Sequence, residues 1–332
     1  MPATCPWCSA TRDEGPTCPK CGAIYAKAAA IKAHGSAKAV IAATPVEAEQ
    51  PADPVQDFEL DADNSAGEWQ LVDDADLEWK YCVGAIPAAL LVSLIVYVSG
   101  IGAFLLRLFL SMPVHELGHA FAAWFSGFDA IPTVWKTLVP DTRGFVMPFG
   151  LLAGLGYLGW RAWAAGNRVL LGAACALVVL QLALTFGTSV HTAKMIIVFC
   201  GDGGGMILAV LLMGSFFFGK RTQLYKGSLR WGFVVIGAAT YVDIYGTWVK
   251  ARRDFDAIPL GSQDGMAADP LVLIEQHGWT LASVANRYFV LGLLCLAALV
   301  AVYVWGVRRA AQERDARASS RRLAERMAGR GG

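Results

Sequence analysis

Long apolar runs fill the sequence from Tyr81 onward, and they limit its fold more than any other feature. A helix needs about 20 apolar residues to cross the roughly 30 Å hydrocarbon core of a bilayer. Charged residues make up only 17% of the chain, and the mean hydropathy is +0.45, whereas soluble proteins carry about 25% charged residues. The sequence therefore predicts an all-α polytopic membrane protein. It excludes a disordered chain, a soluble nucleic-acid binder and a disulfide-stapled secreted module.

Seven segments have the length and apolar character of membrane spans: 82–99, 101–125, 145–164, 168–187, 195–218, 231–249 and 286–306. Only Ser99 and Gly100 separate the first two. These two segments form either a tight hairpin or one long helix to Leu110, followed by a half-buried helix after Pro113. The positive-inside tendency favours six spans, with 82–110 as one helix and both termini inside. We expect six to seven transmembrane helices.

Four cysteines near the N-terminus form two C-x2-C pairs with nine residues between them: Cys5, Cys8, Cys18 and Cys21. Two such pairs can complete a tetrahedral four-thiolate zinc site. A redox dithiol or two disulfides are the alternatives, and the paired spacing favours zinc. Because residues 1–25 cannot bury a core, the metal would supply their folding energy. This segment resembles the small zinc-ribbon modules of bacterial proteins, with a structural or partner-binding role.

Composition divides the rest of the chain into three parts. Residues 26–80 are Ala-rich and then acidic, because 47–78 holds twelve of the 27 acids and no Lys or Arg. This pattern predicts a flexible, self-repelling linker. Residues 81–306 form the membrane domain, with an extramembrane loop at 250–285. The Arg-rich tail, 307–332, either binds anionic lipid headgroups or anchors the last helix.

The segment SMPVHELGHAFAAWFSGF, residues 111–128, contains the motif that indicates chemistry. His115 and His119 are four residues apart, so they project from one face of a helix. Two such imidazoles bind zinc, and the adjacent Glu116 can take a proton from zinc-bound water. The alternative is a pair of structural histidines that match by chance. Ionisable groups inside an apolar run are costly in lipid, which favours the zinc interpretation.

Two acids in other apolar segments are candidates for contact with this helix. Asp202 lies at a depth and on a side of the membrane that match those of the two histidines, so it is the first candidate for the third zinc ligand. It could instead be a buried acid paired with another group. His191 is the alternative ligand. Asp243 is expected to line a cavity or to pair with Arg107. Close helix approach at Asp202 is favoured by its neighbours Gly201, Gly203, Gly204 and Gly205.

HELGHA on a membrane helix, followed by D-G-G at matching depth, resembles the site-2 protease family of intramembrane zinc metallopeptidases. The resemblance covers roughly 100–218 and favours the seven-span arrangement. It implies that His115, His119 and Asp202 are the zinc ligands and that Glu116 is the catalytic base. It also implies a hydrolase that cleaves peptide bonds of membrane-protein substrates. The competing function is a non-catalytic, zinc-dependent membrane scaffold or adaptor.

These assignments set expectations for cofactors, partners and location. We expect two zinc ions, one catalytic and one structural. The expected partners are a membrane-protein substrate, the lipid bilayer and a protein that binds the zinc ribbon, with no nucleic acid. The thiolate site indicates a reducing compartment for the N-terminus. The expected location is therefore the bacterial inner (cytoplasmic) membrane, with the N-terminus in the cytoplasm.

Overall fold

A computed structural model describes most of the chain: residues 64–218, 229–263 and 266–328, together with Thr4, Thr11 and Cys18. The chain divides into two units, Met1–Asp61 and Ala62–Gly332. In the first unit, Thr4 and Thr11 form an antiparallel β-bridge, and Cys18 is buried. The other three cysteines of the predicted zinc ribbon lie outside the described residues, so the ribbon stays a prediction: Cys5, Cys8 and Cys21.

Helices make up most of the second unit. In the described ranges they are α1 (Asn64–Val98), α2 (Ile101–Phe125), α3 (Val146–Ala164), α4 (Arg168–Gly187), α5 (Val190–Phe199), α6 (Asp202–Gly214), α7 (Leu229–Ala251), α8 (Asp269–Glu275) and α9 (Leu281–Ala328). Two short antiparallel hairpins lie in the connections between helices. One pairs β1 (Ile131–Pro132) with β2 (Thr137–Leu138) between α2 and α3, and the other pairs β3 (Ser262–Gln263) with β4 (Met266–Ala267) between α7 and α8.

Five helical segments are long and apolar enough to cross a bilayer: Ala75–Val98, Ile101–Phe125, Arg168–Gly187, Leu229–Ala251 and Leu281–Arg322. The pair α5 and α6, bent by 55° at a short break, would add a sixth span. The predicted span 145–164 corresponds to α3, which is not among these helices. The prediction of an all-α, multi-pass membrane protein is confirmed, with five or six spans in the described part of the chain.

The first two predicted spans are separate helices. Gly100, with φ +73°, lies in the left-handed region between α1 and α2. Glycine adopts this conformation without the steric cost of a Cβ atom. Beyond the break, α2 continues through Pro113 and includes a π-helical turn at Leu106–Ser111. The structure therefore breaks the chain at Ser99 and Gly100, and the alternative of one uninterrupted helix to Leu110 does not hold.

Three stretches predicted from composition contain regular structure. The end of the predicted linker, from Asn64, is part of α1. The 250–285 loop holds the β3–β4 hairpin and α8. The Arg-rich tail continues α9 as far as Ala328. Of these, the loop supplies Asp269, a half-buried acid at the start of α8.

The core of the second unit lies around α6, α7 and α9, where large side chains are fully buried. Trp248 on α7 stacks on Tyr288 of α9 with ring centroids 4.2 Å apart. In the most apolar 18-residue stretch of α7, 50% of the residues are buried inside the protein, against 11% in the same stretch of α4. The apolar exterior of α4 is therefore suited to contact lipid. The HELGH segment of α2 packs against α6 and α5, and the π-helical turn that precedes it packs against α7.

Candidate metal centre

The two histidines of HELGH lie on one buried face of α2, as the four-residue spacing predicts. His115 is 7% exposed and His119 is 8% exposed. Their Nε2 atoms are 3.2 Å apart. The local reason is helical periodicity, which places residues i and i+4 one above the other. The helix thus supplies two imidazole nitrogens that face a common point.

The other nitrogen of each ring contacts an acceptor, and this contact fixes the position of the ring proton. Nδ1 of His119 lies 2.7 Å from the backbone oxygen of Ile197, and Nδ1 of His115 lies 2.8 Å from Oδ1 of Asp202. A carbonyl or carboxylate oxygen only accepts, so each Nδ1 donates its proton. In a neutral ring with its proton on Nδ1, the Nε2 atom carries the lone pair through which imidazole binds a metal.

Asp269, the first residue of α8, completes the group. Its Oδ2 atom lies 3.0 Å from Nε2 of His119 and 3.2 Å from Nε2 of His115. This buried oxygen has no hydrogen-bond partner of good geometry among the described residues. Three lone-pair atoms that face one another repel unless a cation lies between them, either protons or a metal ion. The three residues form a group that could hold a metal ion.

The separations within this group suit tetrahedral coordination. Zinc–nitrogen bonds of about 2.0–2.1 Å place two ligand atoms of a tetrahedron about 3.3 Å apart. The observed separations are 3.0–3.2 Å. Asp269 lies outside the membrane-spanning helices. Burial alone would raise the pKa of its carboxyl, but His119 and His115 hold that pKa below its usual range. The carboxylate is therefore ionised near neutral pH and ready to bind a cation.

Asp202, predicted from the sequence as the third ligand, takes a different position. Its Oδ1 contacts Nδ1 of His115, which is the nitrogen that points away from the other two ligand atoms. Trp248 donates its indole N–H to Oδ2 of Asp202 at 2.8 Å. Such a carboxylate orients a histidine and raises the basicity of its free nitrogen. The structure thus gives the facing position to Asp269 and the outer position to Asp202.

Arg107 connects the two acids that the sequence analysis singled out in other spans. Its Nη1 lies 3.5 Å from Oδ1 of Asp202 and 3.3 Å from Oδ2 of Asp243. The predicted pairing of Asp243 with Arg107 is confirmed. Because both acids are buried, one guanidinium that faces both of them offsets part of the cost of keeping two carboxylates out of water.

Glu116 is held by a residue that the sequence analysis did not identify. Oγ1 of Thr137, in β2, lies 2.7 Å from Oε2 of Glu116 and 2.8 Å from its backbone oxygen. The threonine hydroxyl has a single proton, which these two acceptors share. Glu116 is only 5% exposed. The β1–β2 hairpin therefore restrains the Glu116 carboxylate, which lines the same cavity as the two histidines.

Glycines allow α2 and α6 to approach closely enough for these contacts. A Cβ atom on Gly118 would overlap the backbone oxygen of Cys200, and one on Gly204 would lie 2.9 Å from Cα of Gly118. A Cβ atom on Gly201 would lie 2.5–2.6 Å from Asp269, His115 and His119. The close approach predicted from the glycine cluster is therefore found at this crossing.

A cavity of about 890 Å³ opens onto the metal group. It lies in the upper part of the range of about 300–1,000 Å³ that is typical of ligand sites. Its walls come from α2, the β1–β2 hairpin, α5 and residues within 259–261 and 267–277. Both the metal group and Glu116 line it, so a ligand in the cavity would contact them directly.

Asp269 and His191 show the limits of the sequence signals. Asp269 lacks a metal-binding motif, and its local signal is an acid before Pro270 at a helix start, which indicates a helix N-terminus only. His191, the alternative third ligand, lies 3.2 Å from His277 instead and does not belong to the described metal group. Burial lowers the pKa of His277, and the neighbouring His191 lowers it further.

Three ligand atoms face a common point, a buried glutamate lies next to one of them in sequence, and a cavity reaches all of them. Comparisons with protein-family models, with curated proteins and with solved structures found no match to this chain.

Proposed function

We propose that this protein is an intramembrane zinc metallopeptidase that cleaves membrane-protein substrates. The observation that supports the proposal most is the convergence of His115, His119 and Asp269 at the wall of a cavity that Glu116 also lines. Three protein ligands with a fourth position open toward a cavity are typical of catalytic zinc sites. A structural site would be closed by a fourth protein ligand.

We assign the third ligand to Asp269 and a positioning role to Asp202. Asp202 contacts Nδ1 of His115 at 2.8 Å and accepts the indole N–H of Trp248 at 2.8 Å. These contacts leave it on the side of the imidazole that is turned away from the ligand group. This assignment differs from the one that the family resemblance implies, in which Asp202 binds the metal.

Glu116 acts as general base and then as general acid. Held by His115, His119 and Asp269, a zinc ion would supply Lewis-acid chemistry for a peptide carbonyl and for the attacking water. Glu116 accepts the proton of that water and delivers it to the leaving amine. Thr137 keeps the carboxylate in place through its hydroxyl, 2.7 Å from Oε2. A positioned base of this kind contributes typically about 10²–10⁴-fold in rate.

The substrate must reach the site in an unwound form. The carbonyls of a helical peptide accept hydrogen bonds within the helix and are shielded from attack. The cavity of about 890 Å³ has room for a short extended segment.

The proposal also covers the partners and the location of the protein. Its substrates are membrane proteins. The N-terminal ribbon binds the second zinc ion and recruits a protein partner. The protein lies in the bacterial inner membrane with its N-terminus in the cytoplasm.

The test is the substitution Glu116→Gln, which keeps size and polarity but removes the base. Zinc content and membrane insertion should equal those of the wild type, while cleavage falls by about 10²–10⁴-fold. The measurement compares membrane-protein fragments in cells that carry wild type or the variant as their only copy. Glu275→Gln, at an exposed glutamate of α8, is the matched control and should cleave like wild type.

The scaffold alternative predicts a different result. If the Glu116→Gln variant supports the cellular role fully and leaves the fragment pattern unchanged, the peptidase proposal is wrong. In that case the metal and the fold alone would provide the function.

A further inference from the structure

A second pair of histidines lies near the rim of the cavity, apart from the HELGH helix. His191 is in the first turn of α5, and His277 follows the end of α8. Nε2 of His191 lies 3.2 Å from Nδ1 of His277, and the ring centroids are 4.5 Å apart. The fold thus brings together two imidazole nitrogens from residues that are 86 positions apart in the chain. His191 is exposed and His277 is half-buried.

We propose that His191 and His277 form a second binding site for a divalent transition-metal ion. Imidazole nitrogen suits zinc, copper and nickel. The separation of 3.2 Å equals that of the two Nε2 atoms in the HELGH pair and is close to the tetrahedral edge of about 3.3 Å. The exposed position of His191 leaves room for water to supply the remaining ligands. The inference rests on this geometry and does not depend on the peptidase function.

A metal at this pair would join two segments that both serve the metal centre. On α5, the backbone oxygen of Ile197 holds His119, and α8 begins with Asp269. A metal bridge from His191 to His277 therefore links the helix that orients one ligand to the segment that supplies another. Occupancy of the second site should restrain the segment 268–278 against opening.

The first experiment titrates zinc-loaded, full-length protein in detergent with Ni²⁺ and counts the ions bound per chain. Wild type should bind one more Ni²⁺ than His191→Ala and one more than His277→Ala. His34→Ala removes the remaining histidine of the chain and is the matched control, which should bind like wild type. Equal stoichiometry in all four proteins would show that the pair is only hydrogen-bonded. Loss in only one of the two variants would also overturn the proposed site.

The second experiment measures amide hydrogen exchange of residues 268–278 with and without Ni²⁺. A ligand that binds only the closed form suppresses opening by a factor of 1 + [L]/Kd. At 100 times Kd, exchange in wild type should slow by about 100-fold. Exchange in His191→Ala should not respond to Ni²⁺. Binding to wild type without slower exchange would overturn the bridging role.

Discussion

Two histidine pairs in this protein have the same separation but different surroundings. The nitrogens of His115 and His119 that face each other are 3.2 Å apart, and so are those of His191 and His277. The first pair is buried, both of its Nδ1 atoms contact acceptors, and the carboxylate of Asp269 faces it. The second pair lies near the cavity rim, and neither of its rings is part of the described three-residue metal group.

The difference predicts which of the two pairs binds a metal ion more strongly. Oriented rings lose less side-chain freedom when a metal binds, and a carboxylate adds a charge whose attraction is greater in a buried environment. A carboxylate that hydrogen-bonds a ligating histidine, the role proposed for Asp202, typically contributes about 10–100-fold in metal affinity. We therefore expect the HELGH pair to retain its metal during dialysis against a chelator and the His191–His277 pair to lose it.

Removing one ligand of the buried pair should have the largest effect. His119→Ala should lose one zinc ion per chain, because two remaining ligands cannot hold the metal against a chelator. His277→Ala should keep that zinc after the same dialysis. The measurement is the zinc content of full-length protein. Equal zinc in both variants would mean that the buried pair is not the strong site.

Two substitutions test which aspartate binds the metal and which one only positions His115. Asp202→Asn should weaken zinc binding by about 10–100-fold, as for other outer-shell partners. Asp269→Asn should weaken it further, because a coordinating charge is lost. Competition with a chelator of known affinity measures both, and Asp256→Asn, an exposed acid of the same loop, is the control. The reverse order of effects would make Asp202 the ligand, as the family resemblance implies.

Thr137→Val should slow cleavage without changing zinc content. The hydroxyl donates to a charged carboxylate, and such hydrogen bonds are worth about 1.5–3 kcal/mol, or about 10–100-fold in rate. Thr137→Ser keeps the hydroxyl and should retain most of the activity. A cleavage assay on one membrane-protein substrate, with zinc measured in parallel, checks this. Wild-type cleavage by Thr137→Val would show that Glu116 needs no support from the hairpin.

Gly118→Ala should destabilise the protein at the close contact between α2 and the start of α6. Its new Cβ would overlap the backbone oxygen of Cys200, which cannot move as a flexible side chain can. Overpacking of this kind costs about 1–3 kcal/mol. Gly154→Ala on α3 meets nothing within 4 Å and should be neutral or slightly stabilising. Thermal unfolding in detergent compares the two, and equal melting temperatures would contradict the close crossing.

The sequence predicted the helical, multi-pass fold well because bilayer thickness sets a minimum length for an apolar helix. The sequence predicted the number and the limits of the spans less well. The apolar segment 145–164 forms α3, which is not among the candidate spans. The break at Ser99 and Gly100 was one of two alternatives that the sequence left open, and the structure selects it.

At the candidate metal centre, some features follow from the sequence and others only from the structure. The placement of His115, Glu116 and His119 on one stretch of helix follows from the sequence alone, because helical periodicity is local. The outer position of Asp202 and the facing position of Asp269 do not, although the pairing of Asp202 with another group was one alternative. Depth along a membrane span predicts that a residue is near the site but not which nitrogen of the imidazole it contacts.

The sequence by itself therefore determined the membrane-spanning helices, the two histidines and the glutamate beside them. The tertiary structure alone decided that Asp269 faces the histidines, that Thr137 holds Glu116 and that His191 meets His277. The physical reason is range. Periodicity and span length act over one helix, whereas a ligand set is completed by residues that only the packing of distant segments brings within about 3 Å.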